Sequence, residues 1–344
     1  MKKATILSIL LIMGMLLISC TPAAPAEEAE APAEEGVMEK TRIAFVSSQE
    51  YDSSEWLQNL VTGLEDYEVT HENVEIKLVE AVQANEYEPK TRALAEEGYD
   101  LIITSYDAMA AATTTVANDY PDIKFASLQG MVQDLSDYKN LEEFKLNRPQ
   151  TAYLAGIVAG MMTEANKVGI VGGMDVGGIN EIIAGWQQGM LRVNPDIEDF
   201  VVYADSFTDP TIGKEFGLSL VAKEADIIAA AAGGSGVGTA QAAADSNIGF
   251  VAWDVHYQDV LGELEFGSAV NYFEKMFIAY IDDVLAGKFE GGVLKEYGIS
   301  EGVCDFEILE NSLAYKQEIL DEIAAAKADI ASGEVVVSGE ILHK

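Results

Sequence analysis

The sequence predicts an α/β protein with more than one parallel sheet, and three observations support this class. From Arg42 onward, short β-branched runs alternate with longer amphipathic segments, which is typical of βαβ units with helices on both faces of a sheet. Eight strand-length runs are recognisable, more than one compact doubly wound unit usually carries. The chain has 344 residues, enough for two domains of about 100–200 residues each.

The predicted elements follow one another along the chain without any solenoid-type repeat. The eight expected strands are Arg42–Ser47, Val74–Val79, Leu101–Thr104, Lys124–Leu128, Val168–Val171, Phe200–Tyr203, Ile227–Ala230 and Gly249–Trp253. The expected helices are Glu55–Tyr67, Ala108–Asp119, Thr151–Thr163, Asn180–Val193, Pro210–Lys223 and Val237–Asp245. A domain boundary is expected at Asn147-Arg148-Pro149, where a proline precedes a new apolar helix.

Composition excludes several classes of protein. Hydrophobic residues make up 49% of the chain, which fits neither a disordered protein nor a multi-pass membrane protein. Lys and Arg number 21 against 58 Asp and Glu, for a formal net charge of −37. A nucleic-acid partner is therefore excluded, because phosphate binding needs a basic footprint.

The amino end is typical of an exported lipoprotein. An apolar run over 4–18 follows Met1-Lys2-Lys3 and resembles the core of a signal peptide over residues 1–19. The sequence Leu17-Ile18-Ser19-Cys20 resembles a bacterial lipobox, in which lipid is attached to the thiol of Cys20 before cleavage. The alternative is an ordinary signal peptide with a chance cysteine.

The next segment, up to about residue 40, is expected to be a tether. Residues 21–35 consist mainly of Ala, Pro and Glu, a composition that favours a solvated, extended chain. The mature protein would start at Cys20, on the outer face of a cytoplasmic membrane or in a periplasm. Cys304 is then the other thiol, so no intramolecular disulfide is possible and a core cysteine is expected.

Parallel sheets bind ligands in the crevice beyond the carboxyl ends of their strands, so the residues that follow each predicted strand are candidate ligand contacts. Aromatic residues, carboxylates and glycines recur there, whereas Lys and Arg are absent. This composition argues against phosphate and favours a neutral, flat, hydroxylated ligand. The segments are 47–52, Ser105-Tyr106-Asp107, Gln129-Gly130, 172–175, 205–209, 233–236 and 254–257.

Motifs for catalysis or cofactor binding are incomplete. The glycine-rich run 232–238 follows a strand, but its spacing departs from the dinucleotide fingerprint at Thr239 and Gln241. We interpret it as a loop whose backbone N–H groups meet ligand hydroxyls, or one that lets helix and strand pack closely. A nucleophile motif around Ser235 is broken by Val237. With three histidines in the chain and no ligand-spaced cluster, no metal or other cofactor is expected.

Two aromatic residues and one carboxylate stand out near strand ends. Trp56 is either a core residue or part of a ligand clamp, whereas Phe207 sits in a polar turn where an apolar ring needs a covering partner. Two rings facing across a cleft would each contribute about 0.5–1.5 kcal/mol by stacking on a heterocycle. Asp254 is either a helix cap or an acceptor for sugar hydroxyls, and the sequence favours neither.

With these residues identified, the chain resembles the basic membrane protein family, the lipoprotein substrate-binding components of nucleoside ABC importers. The resemblance extends from Arg42 to the C-terminus. Its markers are the segments 118–126, Tyr153-Leu154-Ala155-Gly156, 168–174, 185–189 with Asn194-Pro195-Asp196, 206–210 with Gly213-Lys214, and 232–238.

The resemblance implies two Rossmann-like lobes of the type I periplasmic-binding-protein kind, joined by three crossovers and closing on a purine nucleoside stacked between aromatic rings. It places residues 41–147 and about 257–294 in the first lobe. Residues 148–256 and about 295–344 would form the second. The ligand-binding residues it implies are Asp52, Trp56, Tyr106, Gln129, Phe207, Gly233, Gly234, Ser235, Asp254 and Asn271.

Several of these positions depart from the family pattern. Trp56 stands where a stacking Phe is usual, and Leu57 replaces the Asn that follows it. Gln129 replaces an Asp, and Asn271 replaces a Lys close to the ligand. In the strand-end pair of acids Asp254 is kept, but His256 replaces the second Asp. Because neutral amides can donate as well as accept, a related ligand is favoured over the usual one, such as adenine, hypoxanthine or a nucleoside recognised through another edge.

The expected function is that of a membrane-tethered solute-binding protein that delivers a purine-type ligand to an ABC permease, without catalysis and as a monomer. One alternative is a sensor or surface lipoprotein of the same fold that recognises a free purine base or another small heterocycle. Another is an enzyme such as a nucleoside hydrolase, against which the missing metal and nucleophile motifs argue.

Overall fold

The computed structural model describes residues 40–343. The predicted signal peptide, Cys20 and most of the tether lie outside the described residues, so those predictions stay untested. Within 40–343 no helix is long and apolar enough to cross a bilayer.

The first lobe contains a six-stranded sheet in which every neighbouring pair is parallel. The strand order is β11-β5-β4-β3-β1-β2. Its strands are β1 Thr41–Ser47, β2 Val74–Glu80, β3 Leu101–Ser105, β4 Lys124–Leu128, β5 Leu141–Leu146 and β11 Leu294–Tyr297.

The second lobe contains a sheet of the same size, with the order β12-β10-β9-β8-β6-β7. Its strands pair in parallel except β12, which is antiparallel to β10. They are β6 Lys167–Gly172, β7 Glu198–Tyr203, β8 Ile227–Ala231, β9 Gly249–Trp253, β10 Glu265–Asn271 and β12 Cys304–Glu307.

Helices connect the strands of each sheet and cover both of its faces. They are α1 Glu55–Thr70, α2 Tyr87–Glu96, α3 Tyr106–Asp119, α4 Arg148–Met162, α5 Gly177–Val193, α6 Pro210–Val221, α7 Ser235–Ser246, α8 Gln258–Leu261, α9 Phe273–Leu285 and α10 Gln317–Ser332. All eight predicted strands and all six predicted helices are present, with ends that differ by a few residues.

Alternation along the strands supplies two hydrophobic cores per lobe. In β1, Ile43 and Phe45 pack with α1 and α9 on one face of the sheet, while Ala44 and Val46 pack with α2 and α3 on the other. Successive side chains of a strand point to opposite faces, so a run that is apolar at every position is what a sheet covered on both sides requires.

The chain crosses between the lobes three times, which confirms the expected architecture. The first crossing lies between β5 and α4, the second between β10 and α9, and the third between β11 and β12. The expected boundary near residue 257 differs from the structure, because β10 pairs with β9 in the second sheet. That crossing therefore follows Asn271. The last strand of the first lobe, β11, likewise extends to Tyr297 rather than to about 294.

Candidate ligand-binding cleft

Two neighbouring cavities lie at the carboxyl ends of the strands. The larger has a volume of about 650 Å³ and is lined by the ends of β8 and β9, the starts of α5 and α7, and Arg148. The smaller, of about 440 Å³, is lined by residues of both lobes, including Trp56 and Phe273 from the first and Asn271 from the second. Both are bordered by 254–256. We call them the Phe207 cavity and the Trp56 cavity.

Phe207 presents an aromatic ring at the wall of the larger cavity, with 37% of its surface exposed. The ring packs closely against a glycine, because a Cβ built on Gly173 would come within 2.2 Å of its Cε1. Its turn is fixed by the hydroxyl of Ser206, which accepts from the N–H groups of Thr208 and Asp209. Asp209 then caps helix α6. The sequence thus builds a rigid turn that holds an apolar ring towards the cleft.

The glycine loop supports this turn. Gly233 and Gly234 line the Phe207 cavity, and a Cβ at either position would lie 3.0 and 3.3 Å from the carbonyl oxygen of Phe207. Gly233 also has a φ of +53°, a conformation that favours glycine. Close packing of helix and turn is therefore one role of the loop, as its sequence suggests.

Ser235 has a different place from the one that the resemblance implies. It is fully buried. Its hydroxyl donates a hydrogen bond to the carbonyl oxygen of Ser206 and accepts one from the N–H of Asp209, each with a length of 3.0 Å. The hydroxyl thus supports the Phe207 turn, and Ser235 lines neither cavity. Its implied contact with a ligand stays a prediction.

Trp56 lies in the first lobe within an aromatic group. Its ring centroid is 4.8 Å from that of Phe273 and 6.0 Å from that of Tyr106. Trp56 lines the smaller cavity and Phe207 the larger, so the two rings flank the shared segment 254–256 from different sides. Leu57, at the family's Asn position, is fully buried in the core of the first lobe.

Three predicted site residues share a left-handed backbone conformation. Tyr106, Gln129 and Asp254 directly follow β3, β4 and β9, with φ values of 59°, 50° and 59°. Non-glycine residues rarely adopt this conformation, and such residues cluster at ligand sites because the surrounding fold must hold them there. Of these three, Asp254 lines both cavities, whereas Tyr106 and Gln129 line neither. Asp52 is exposed in the turn before α1 and also lines neither cavity.

Asp254 is the carboxylate common to both cavities. It faces the cleft and is exposed there, yet protein surrounds it closely enough that withdrawal from bulk water raises its pKa to about 6. Asn271 opposes this rise in pKa, because its Nδ2 donates a hydrogen bond to Oδ1 of Asp254 at 2.8 Å. Asn271 is itself held by Thr151, whose hydroxyl donates to its Oδ1 over 3.0 Å.

His256 belongs to a separate acidic network at the mouth of the cleft. Its Nδ1 lies 2.5 Å from the fully buried carboxylate of Glu265, and its Nε2 lies 3.3 Å from Glu307. Glu265 also accepts from the backbone N–H of Tyr257. Where the family usually has a second aspartate, this chain therefore places an imidazole between two carboxylates.

Arg148 is a cleft residue that sequence reasoning missed. It follows β5, a strand absent from the prediction, by two residues, and it is the first residue of α4, at the first crossing between the lobes. Its Nη2 donates a hydrogen bond to Oε1 of Gln129 at 2.9 Å. Burial raises the pKa of both Asp254 and Tyr106, and the charge of Arg148 opposes this rise. The signal was present in the sequence as the basic residue at the expected domain boundary, where the lobes meet.

Comparison with known proteins agrees with this architecture. Residues 40–340 match the family model described as "ABC transporter substrate-binding protein PnrA-like". The nucleoside-binding protein BmpA of an ABC transporter from Lactococcus lactis is 28% identical over 271 residues, which cover 74% of this chain and 75% of that protein.

Solved structures show the same fold at lower identity. A protein from Bacillus halodurans described as a transcriptional activator of the comK gene has a TM-score of 0.71 and 22% identity, covering 86% of this chain and all of that one. An ABC transporter solute-binding protein from Conexibacter woesei has a TM-score of 0.67 and 20% identity, covering 87% and 99%. Together with the match over 40–340, the two lobes and the cleft between them show that the chain belongs to the Bmp family of PnrA-like ABC transporter substrate-binding proteins.

Proposed function

We propose that this protein is an extracytoplasmic, lipid-anchored solute-binding protein that holds a purine nucleoside or a related purine by stacking in the cleft between its lobes. The observation that carries the proposal is the exposed ring of Phe207, which shares one cavity with the Asp254 carboxylate. An aromatic face beside a charged acceptor is complementary to a flat heterocycle that carries N–H or O–H donors.

The dimensions and lining of the cleft support a ligand of this size. A volume of about 650 Å³ lies within the range of about 300–1,000 Å³ that is usual for small-molecule sites. Ile179, Ile182 and Trp253 supply apolar surface, and polar groups are few. The relative from Lactococcus lactis is named for nucleoside binding, which favours a nucleoside over a simple sugar.

Delivery to an ABC permease follows from the family, whose members are substrate-binding proteins of transporters rather than enzymes. Such proteins act outside the cytoplasm. We propose that Cys20 carries the lipid anchor and that the monomer presents its closed lobes to the permease. Expression of the full chain and of C20S in a bacterial host would test the anchor, since C20S should move from the membrane fraction to the soluble fraction.

The binding proposal is tested by isothermal titration with inosine, guanosine, adenosine and their free bases, alongside D-ribose and AMP as controls. We expect saturable binding of at least one nucleoside or base, together with a rise in melting temperature. Binding of D-ribose alone would reassign the protein to a sugar ligand, and binding of AMP above all nucleosides would mean that Arg148 recruits phosphate.

A second candidate function is a sensor or surface lipoprotein that recognises a free purine base or another small heterocycle. Asn271 favours a free base as the ligand, because it stands where the family has a Lys close to the ligand. Its amide is already hydrogen-bonded to Thr151 and Asp254. Uptake of labelled ligand by a strain that lacks this protein separates the two roles, since only the transport role predicts a loss of uptake.

A further inference from the structure

Arg148 stands at the junction of the two lobes. Its helix α4 packs in the core of the second lobe, but its Nη2 reaches back to Gln129, which follows β4 in the first lobe. On the other side, a Cβ at Gly178 would lie 3.7 Å from Nη1, so the guanidinium also borders the start of α5. The Arg148–Gln129 hydrogen bond therefore joins the lobes beside the first crossing.

This bond determines which end of the Gln129 amide is occupied. Arginine can only donate, so the oxygen Oε1 must face Arg148 and the nitrogen Nε2 must point elsewhere. That nitrogen is buried and has no hydrogen-bond partner among the described residues. A buried donor without a partner is unfavourable. Gln129 and Arg148 together line a further cavity of about 550 Å³, from which a ligand acceptor would satisfy this donor.

The same guanidinium acts on Asp254. Arg148 and Asp254 line one cavity, and the positive charge counteracts the rise in the pKa of Asp254 that withdrawal from water causes. Asn271 occupies Oδ1 of that carboxylate.

Other charged or titratable groups near Asp254 do not replace this cation. His256, two residues further along the chain, contacts the carboxylates of Glu265 and Glu307. Glu274 and Glu307 line the Trp56 cavity and add negative charge there. The thiol of Cys304 has its pKa raised to about 12 by burial and stays neutral. Among the described residues, Arg148 is the one arginine or lysine that lines either cavity.

We propose that Arg148 is a positioning and specificity-determining residue that prepares one ligand group on each lobe: it orients Gln129 as a donor and holds Asp254 as an anionic acceptor. The inference rests on the proposed function, since it assumes that the cleft is the binding site. It narrows the ligand to molecules that offer a hydrogen-bond acceptor to the first lobe and an N–H or O–H donor to the second. A ring carbonyl next to a ring N–H, as in a 6-oxopurine, satisfies both.

The first test needs no ligand. Carbon-13 NMR titration of the Asp side chains in the free protein, with D254N to assign the signal, gives the titration midpoint of Asp254. We expect R148Q to raise this midpoint by about one pH unit, R148K to raise it less, and the distant control R92Q to leave it unchanged. A folded R148Q with the wild-type midpoint would overturn the proposal.

The second test measures affinity for inosine between pH 5.5 and 8. Inosine binding by the wild type should weaken as the pH falls through the titration midpoint of Asp254. In R148Q this loss of affinity should occur at higher pH. A purely structural defect would instead lower the affinity equally at every pH. If the wild type binds neither a nucleoside nor a free base, the proposed function fails, and the ligand-free titration still decides the role of Arg148. If R148Q does not fold, R148K compared with R92Q decides it.

Discussion

The side-chain Nδ2 of Asn271 donates to Oδ1 of Asp254 over 2.8 Å, across the paired strands β9 and β10. Because Thr151 donates to the oxygen of the same amide, Asn271 cannot turn without losing one of these bonds. The residue that replaces a family lysine therefore orients an acid instead of adding a charge to the cleft.

Phe207→Ala should weaken purine binding at least tenfold, about 1.4 kcal/mol, because the stacking face is lost. Gly173→Ala should have a similar effect, since the new Cβ would occupy the space of the Phe207 ring. Isothermal titration measures both. Gly177→Ala, whose Cβ meets nothing within 4 Å, and Tyr315→Ala, an exposed ring elsewhere, are the matched controls. Wild-type affinity in F207A would remove this ring from the site.

Trp56→Ala should also weaken binding at least tenfold if the lobes close so that Trp56 and Phe207 face each other around the ligand. Trp56→Phe should retain most of the affinity, because the family uses Phe at this position. The double variant W56A/F207A tests the clamp further: rings that contact one ligand ring should show non-additive losses. Full affinity in W56A would mean that its ring only packs against Phe273.

Asp254→Asn should reduce affinity by about tenfold or more, since hydrogen bonds to a charged acceptor contribute about 1.5–3 kcal/mol. The raised pKa of Asp254, about 6, also sets two pH effects. Affinity should rise with pH through 6 as the acceptor ionises. Stability should fall with rising pH between about 4 and 6, because there the folded state binds more protons than the unfolded state.

Both effects of Asp254 should disappear in D254N, which carries no titratable group at this position. Thermal unfolding and titration at pH 5 and 8 measure them in the same samples. An unchanged affinity and ligand ranking in D254N would leave Asp254 with a structural role only.

Free purines should compete at least comparably with their nucleosides. The amide of Asn271 is already engaged within the protein, so fewer contacts remain for a hydroxyl-rich sugar, and the stacked base supplies more of the affinity. Gln129 still offers a donor to the edge of a base. A thermal-shift panel of adenine, guanine, hypoxanthine, xanthine and their ribosides, followed by titration, measures the ranking. Strong stabilisation by inosine or guanosine and by no free base would contradict this expectation.

The regular elements were predictable where local patterning matches the fold. Four strands, β5, β10, β11 and β12, are missing from the prediction. The last two are only four residues long, and the first two carry buried charges. In β5, the fully buried Glu142 is satisfied by the hydroxyl of Tyr280, the N–H of Glu290 and the ammonium of Lys295. In β10, the buried Glu265 accepts from the segment that follows β9. Such partners are distant in sequence or belong to loops, so no local pattern indicates them.

The site was predictable only in part for a related reason. Phe207, Gly233, Gly234 and Asp254 line one cavity because strand ends converge at one edge of the sheet, which topology alone implies. Arg148 joins them through a crossing between the lobes, and the burial of Ser235 depends on how the turn before α6 folds over α7. Both features arise from tertiary packing.

Purine binding in the cleft is tested most directly by native mass spectrometry of the chain from Lys40 onward, incubated with an equimolar mixture of inosine, guanosine, adenosine, their free bases and D-ribose. We expect one dominant complex whose added mass is that of a purine nucleoside or purine base, and the loss of this complex in F207A and in D254N. A complex with D-ribose alone, or wild-type protein that retains no component while remaining folded, would contradict the central claim that this cleft binds purines.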